Sequence, residues 1–167
     1  SDQVINGKLT SKIDSTTELN CDPAKEAVIS GTITGGTAPL VVTVLSGTGP
    51  GTFTYPTATT FTYTTAVAST YNFQITDAIG CVTTIDATVK AITNPIADPK
   101  KTDITCNNYN DGTISVTASA GFGTYTYAID KGAGFVYQAT GKFTGLAAGI
   151  YYIKVKDSKG CVSESVK

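Results

Sequence analysis

The sequence predicts an all-β chain made of two tandem copies of one sandwich module, and three observations predict it. First, its branched residues are lopsided: 14 Ile and 13 Val stand against 5 Leu, with 30 Thr among 167 residues. Side chains branched at Cβ are stiff at χ1 and suit a pleated surface, whereas Leu, Ala, Glu and Lys build helices. Second, short alternating apolar runs recur between Gly, Pro and Asp, and no segment carries a 3.6-residue period. Third, the chain overlays on itself.

The overlay is closest where residues 71–82 (YNFQITDAIGCV) meet residues 151–162 (YYIKVKDSKGCV). Tyr71/Tyr151, Asp77/Asp157, Gly80/Gly160, Cys81/Cys161 and Val82/Val162 coincide at an offset of 80, and Phe73 and Ile75 alternate as Ile153 and Val155 do. Upstream, Ser30–Thr34 (SGTIT) matches Asp111–Ser115 (DGTIS) at 81, and Cys21 matches Cys106 at 85. A repeat of this length with a Cys toward each end means two copies of one domain.

In the first copy, strands are expected at Val28–Thr34, Leu40–Leu45, Thr52–Tyr55, Thr59–Thr65, Thr70–Thr76 and Val82–Ile92. Phe53, Tyr55, Phe61 and Tyr63 share one phase, so the Thr-rich stretch 52–65 reads as two strands with aromatics inward and Thr outward. In the second copy, strands are expected at Thr113–Ser119, Tyr125–Asp130, Phe135–Gln138, Lys142–Thr144 and Ile150–Lys156, with a stub from Val162. Short strands with turn residues every 8–12 positions mark an immunoglobulin-like sandwich. The fold class is therefore two tandem immunoglobulin-like β-sandwich repeats, at 19–93 and 104–167. Residues 94–103, with Pro95 and Pro99, read as a stiff linker. Residues 1–18 read as an N-terminal strand or the tail of a preceding repeat, with Gln3–Thr10 strand-like, and the fragment's ends are not expected to coincide with domain ends.

Composition excludes several functions. The 12 basic residues are all Lys and the net charge is −1, so there is neither a basic patch nor an Arg to fork onto guanine or phosphate. Nucleic-acid binding is set aside. Without His the commonest general base and the commonest transition-metal ligand are missing, and a Ser-His or Cys-His pair cannot be built. No catalytic residue is named and no enzyme is expected. No run of 18 apolar residues exists to span a membrane, no signal peptide opens the chain, and no Asn-x-Ser/Thr acceptor occurs.

Cys21, Cys81, Cys106 and Cys161 are spaced 60, 25 and 55 residues apart, without a C-x-x-C pair for zinc. They read as disulfide cysteines of an oxidising compartment. In an immunoglobulin-like sandwich the N-terminal entry and the last hairpin lie at the same end, which places Cys21 beside Cys81 and Cys106 beside Cys161 as the expected pairs. A Cys81–Cys106 bridge would have to cross a strand of roughly 30 Å, which disulfide geometry forbids.

Asp77-Ala78-Ile79-Gly80 and Asp157-Ser158-Lys159-Gly160 read first as hairpin turns, with Asp accepting backbone N–H bonds and Gly taking positive φ. A calcium role for Asp77 and Asp157 is the weaker reading, since calcium wants several oxygens and only one carboxylate recurs per copy. No other cofactor is expected. Residues 107–112 (NNYNDG) lack the phase of a calcium loop and read as a plain loop. Tyr71 and Tyr151 read as core residues able to make a corner bond to nearby backbone.

The assembled pattern, Cys…(S/D)-G-T-I…G-G-T-A-P…Y-x-(F/I)-x-(I/V)-x-D-x-x-G-C-V, resembles the SprB-type repeat of gliding-motility adhesins on the surface of Bacteroidetes. The resemblance covers about 19–92 and 104–166. The Y-x-x-x-x-x-D-x-x-G-C ending occurs twice, G-G-T-A-P-L once, and the ending also resembles PKD-type modules. It implies export to the cell surface and a stalk or adhesive role, with neighbouring repeats of the same chain as partners and external surfaces or polysaccharide as contacts. The competing expectation is a carbohydrate- or ice-binding module using an aromatic or Thr platform.

Overall fold

The computed structural model describes residues 7–22, 24–106 and 108–167, so the first half of the strand-like stretch 3–10 lies outside the described residues. Every regular element described is a strand, and the chain divides into two compact units, Ser1–Ile92 and Thr93–Lys167.

Unit 1 holds β1 (Thr10–Thr16), β2 (Ala27–Thr34), β3 (Val41–Ser46), β4 (Gly51–Thr57), β5 (Thr60–Thr65), β6 (Ser69–Thr76) and β7 (Val82–Val89). One sheet has the order β1-β2-β5-β4 and the other β3-β6-β7. With the strands lettered A to G in chain order this is ABED over CFG, the constant-type immunoglobulin-like arrangement. All pairings are antiparallel. Alternation decides which side faces in: Ala27, Ile29 and Ile33 on β2, Phe61 and Tyr63 on β5, and Tyr71, Phe73 and Ile75 on β6 are buried in one cluster. The two sheets meet through their rings, with Phe61 and Phe73 centroids 5.5 Å apart and Tyr63 and Phe73 5.4 Å apart. Tilted and edge-on pairs of this kind stabilise a core beyond their buried area.

Unit 2 holds β8 (Ile96–Thr102), β9 (Gly112–Ser119), β10 (Tyr125–Asp130), β11 (Val136–Gln138), β12 (Lys142–Leu146) and β13 (Tyr152–Asp157). Its sheets have the orders β12-β9-β8 and β11-β10-β13, and the stretch after Cys161 touches β13 through the bridges Lys156↔Val162 and Ile153↔Val166. The core is Ala97, Ile114, Val116, Phe143, Ile153 and Val155.

Most of the expected linker is strand. Ile96–Thr102 pairs along its whole length with β9, from Ile96↔Ser119 to Thr102↔Thr113. Pro99 is tolerated because β8 is an edge strand, where a missing N–H costs no ladder bond. The N-terminal strand begins at Thr10 and pairs with β2 of its own unit. Each unit therefore has a first strand that precedes its first cysteine.

That strand sets the polarity of each unit. In unit 1, β1 starts opposite Thr34, and the loop after β2 reaches Asp77 at the end of β6. Cys21 follows β1 and precedes β2, so it lies at the other end of the sheets. In unit 2, β8 starts opposite Ser119, the loop after β9 reaches Asp157, and Cys106 follows β8. Each unit thus has a closing-turn pole, bearing Cys81 or Cys161, and an opening-loop pole, bearing Cys21 or Cys106.

Candidate functional site

The two closing turns share one geometry because one alternation leads into both. Tyr71, Phe73 and Ile75 point inward, and the next inward position is Asp77, so its carboxylate is delivered into the end of the sandwich with 5 % of its surface exposed. The same phase on β13 buries Asp157 at 6 %. A buried carboxylate needs donors. Asp77 Oδ1 accepts the backbone N–H of Ile79 at 3.1 Å and of Cys81 at 2.8 Å, and Oδ2 accepts that of Thr37 at 3.0 Å. Asp157 Oδ1 accepts from Lys159 and Cys161, both at 2.9 Å, and Oδ2 from Phe122 at 3.0 Å. Burial pushes the Asp77 carboxyl up, but the backbone N–H groups of Thr37, Cys81, Ile79 and Gly80 outweigh it and hold the group below its ordinary value.

The third donor is presented by left-handed backbone after β2 and β9. Gly35 and Gly36 have φ of 73° and 74°, and Ala120 and Gly121 have 57° and 68°. The stretches G-G-T-A-P and A-G-F-G differ in sequence, yet each turns an N–H onto its aspartate. Both Asp oxygens thus serve the scaffold, and no group of three His, Cys, Asp or Glu among the described residues could hold a metal ion.

Tyr71 is fully buried, and its hydroxyl lies 2.9 Å from the carbonyls of Thr48 and Val67 and from Thr65 Oγ1. Tyr151 donates to the Ala147 carbonyl at 3.0 Å. Both reach the carbonyl four residues back, and of the two expected core residues Tyr71 is fully buried while Tyr151 packs partly buried against its core.

Cysteine pairing departs from expectation. Cys81 and Cys106 carry free, exposed thiols, while Cys21 and Cys161 are disulfide-bonded. Neither Cys21–Cys81 nor Cys106–Cys161 is formed. The reason is the first strand of each unit, which carries the chain from the closing-turn pole to the opposite pole before the first cysteine is reached. The eight residues of β2 or β9 then separate the two cysteines of a unit. At about 3.3 Å per residue that is roughly 25 Å, whereas a disulfide needs Cα atoms within about 7 Å.

The Thr-rich hairpin divides as its phase requires. Phe61, Tyr63 and Thr65 are buried, while Thr52, Thr54, Thr60, Thr62 and Thr64 face outward on paired strands. The outward hydroxyls partner one another: Thr54 with Thr62 at 2.5 Å and Thr57 with Thr60 at 2.8 Å. Phe53 and Tyr55 lie on the inward phase, stacked with centroids 6.2 Å apart, with Tyr55 half exposed at the sheet edge.

In the 107–112 loop, Asp111 accepts the backbone N–H and the hydroxyl of Thr105, which lower its carboxyl from the usual value. That is a local clasp within the loop. The sequence reading passed over Asp130, whose Oδ1 accepts the N–H groups of Gly132, Ala133 and Gly134 at 2.7–2.8 Å. The signal was present as Asp followed by K-G-A-G. It also passed over buried Ser163, which exchanges two bonds with the backbone of Val155.

Fold and site together define a class of protein: an all-β chain of duplicated, sandwich-like modules in which the duplicated residues hold the scaffold. Within that class, the family model of the SprB repeat matches residues 100–134, from the end of β8 through β10 to the Asp130 turn. Over that stretch the chain is similar to SprB repeats. A comparison with curated proteins finds no match.

Proposed function

We propose that this chain is a structural and adhesive repeat segment of a large secreted cell-surface protein, a filament of the gliding-motility type, and that it catalyses nothing. The observation that carries the reading is the SprB-repeat match on a module that occurs twice. What the copies share is the corner tyrosine, the buried aspartate, the turn glycine and the cysteines; what differs is the exposed surface. An array of such modules acts by length and number, and linkage multiplies modest single-module affinities by roughly 10²–10⁴.

Fab fragments raised against this chain are expected to label intact cells that make the parent protein, and to slow their attachment and movement. Label that appears only after permeabilisation would overturn the reading. A second reading, binding of carbohydrate or ice, is favoured by the outward Thr52, Thr54, Thr60, Thr62 and Thr64. Glycan arrays and thermal hysteresis test it. Calcium at millimolar concentration is expected to leave the melting temperature unchanged, because the oxygens of Asp77 and Asp157 are committed to backbone donors. A rise of about 10 °C, the signature of a ligand bound far above its Kd, would contradict that.

A further inference from the structure

Each of the two free thiols stands at a pole that carries exposed apolar residues. On the closing-turn pole of unit 1, Cys81 lies between Ile79 and Val82, apolar residues left 71 % and 60 % exposed. The second copy has Lys159 where the first has Ile79, and its ammonium sits 3.9 Å over the Phe122 ring, so this apolar knob belongs to unit 1. On the opening-loop pole of unit 2, Cys106 shares its end of the sheets with a cavity of about 580 Å³. Ile104, Leu146, Ala147, Ala148 and Ile150 are in its wall, and Ile150 is itself 55 % exposed. Neither thiol has a partner within reach in its own unit. Yet the corresponding position of the other unit, Cys161 for Cys81 and Cys21 for Cys106, is disulfide-bonded. Both positions are therefore ones at which this module forms disulfides.

We propose that these poles are docking surfaces for further repeats of the same kind, the Ile79 knob seating in the hollow beside Ile104 and Ile150. Cys81 is then joined to the opening-loop cysteine of one neighbour and Cys106 to the closing-turn cysteine of another. The inference rests on the repeat reading of the chain and is independent of adhesion. Two thiols lose two protons and two electrons, and a small disulfide such as oxidised glutathione accepts them. One cysteine thiolate attacks it and expels a glutathione thiolate; the second attacks the mixed disulfide and expels the other.

The test uses the full chain, concentrated in a glutathione redox buffer and resolved on non-reducing gels. Wild type is expected to give a ladder that collapses on reduction and yields a Cys81–Cys106 crosslinked peptide. Cys81→Ser and Cys106→Ser, both at exposed loop positions, should each remain monomeric, and their mixture should stop at dimer. Ile79→Lys should slow the ladder about tenfold without changing the melting temperature. Monomer throughout, or symmetric Cys81–Cys81 and Cys106–Cys106 dimers, would overturn the proposal. A missing ladder with positive surface labelling removes the pole pairing alone; a ladder without labelling removes the adhesin reading alone.

Discussion

Tyr71 shows how one hydroxyl governs a corner. It is fully buried, and Phe in its place would leave the Thr48 and Val67 carbonyls and Thr65 Oγ1 facing an apolar edge. Tyr71→Phe is expected to cost about 1–3 kcal/mol in urea denaturation. Tyr151→Phe, which gives up one carbonyl contact, should cost the lower part of that range. Equal losses would show that the Thr48–Thr65 cluster contributes nothing beyond the corner bond. The aspartates give a pH signature. Asp77, Asp111 and Asp130 are all held below their ordinary value by N–H or O–H donors. A carboxyl depressed on folding adds stability that is complete above its unfolded pKa of about 3.9 and is lost as pH falls through the lower folded value. The melting temperature should therefore be flat from neutrality to about pH 5 and fall below about pH 4. Asp77→Asn removes the charge and puts an amide donor near the Thr37 N–H, so it should lower the melting temperature at pH 7. Its gap from wild type should close as the pH drops. A gap independent of pH would show that the charge of Asp77 plays no part.

At the scale of elements, the loops after β2 and β9 reach one geometry from different residues. Ala120 takes the left-handed conformation that Gly35 takes in the first copy. An L side chain pays roughly 1–2 kcal/mol there, and glycine gives back part of that through its freer unfolded chain. Ala120→Gly is expected to stabilise the chain by about 0.5–1 kcal/mol, read from denaturation midpoints at unchanged slope; destabilisation would contradict the assigned backbone. The strands whose inward faces alternate, β2, β5, β6, β9 and β13, were legible in the sequence within two residues at each end. Three features were not. β8 was hidden by Pro95 and Pro99, because a proline marks a linker and an edge strand equally well until pairing is known. β1 carries Ile13 among Ser, Thr, Lys and Asp, too little apolar pattern to tell an edge strand from a tail. The Asp130 turn depends on three successive N–H groups converging on one oxygen, which composition does not show.

For the molecule as a whole, the place of the first strands within their own units mattered most. Without them the first cysteine of each copy would stand beside the closing turn; with them it stands a strand's length away. The roles of Asp77 and Asp157 in their turns were readable from spacing alone, whereas the cysteine pairing depended on counting traverses of the sheets. The central claim is that each module keeps its two cysteines at opposite poles and so is not closed by a disulfide of its own. The most direct test is a non-reducing peptide map of freshly purified monomer, with free thiols alkylated before digestion. Label on Cys81 and Cys106, with Cys21 and Cys161 unlabelled, is the result expected. Peptides joining Cys21 to Cys81 and Cys106 to Cys161 would contradict it, and with it the strand order on which both poles are defined.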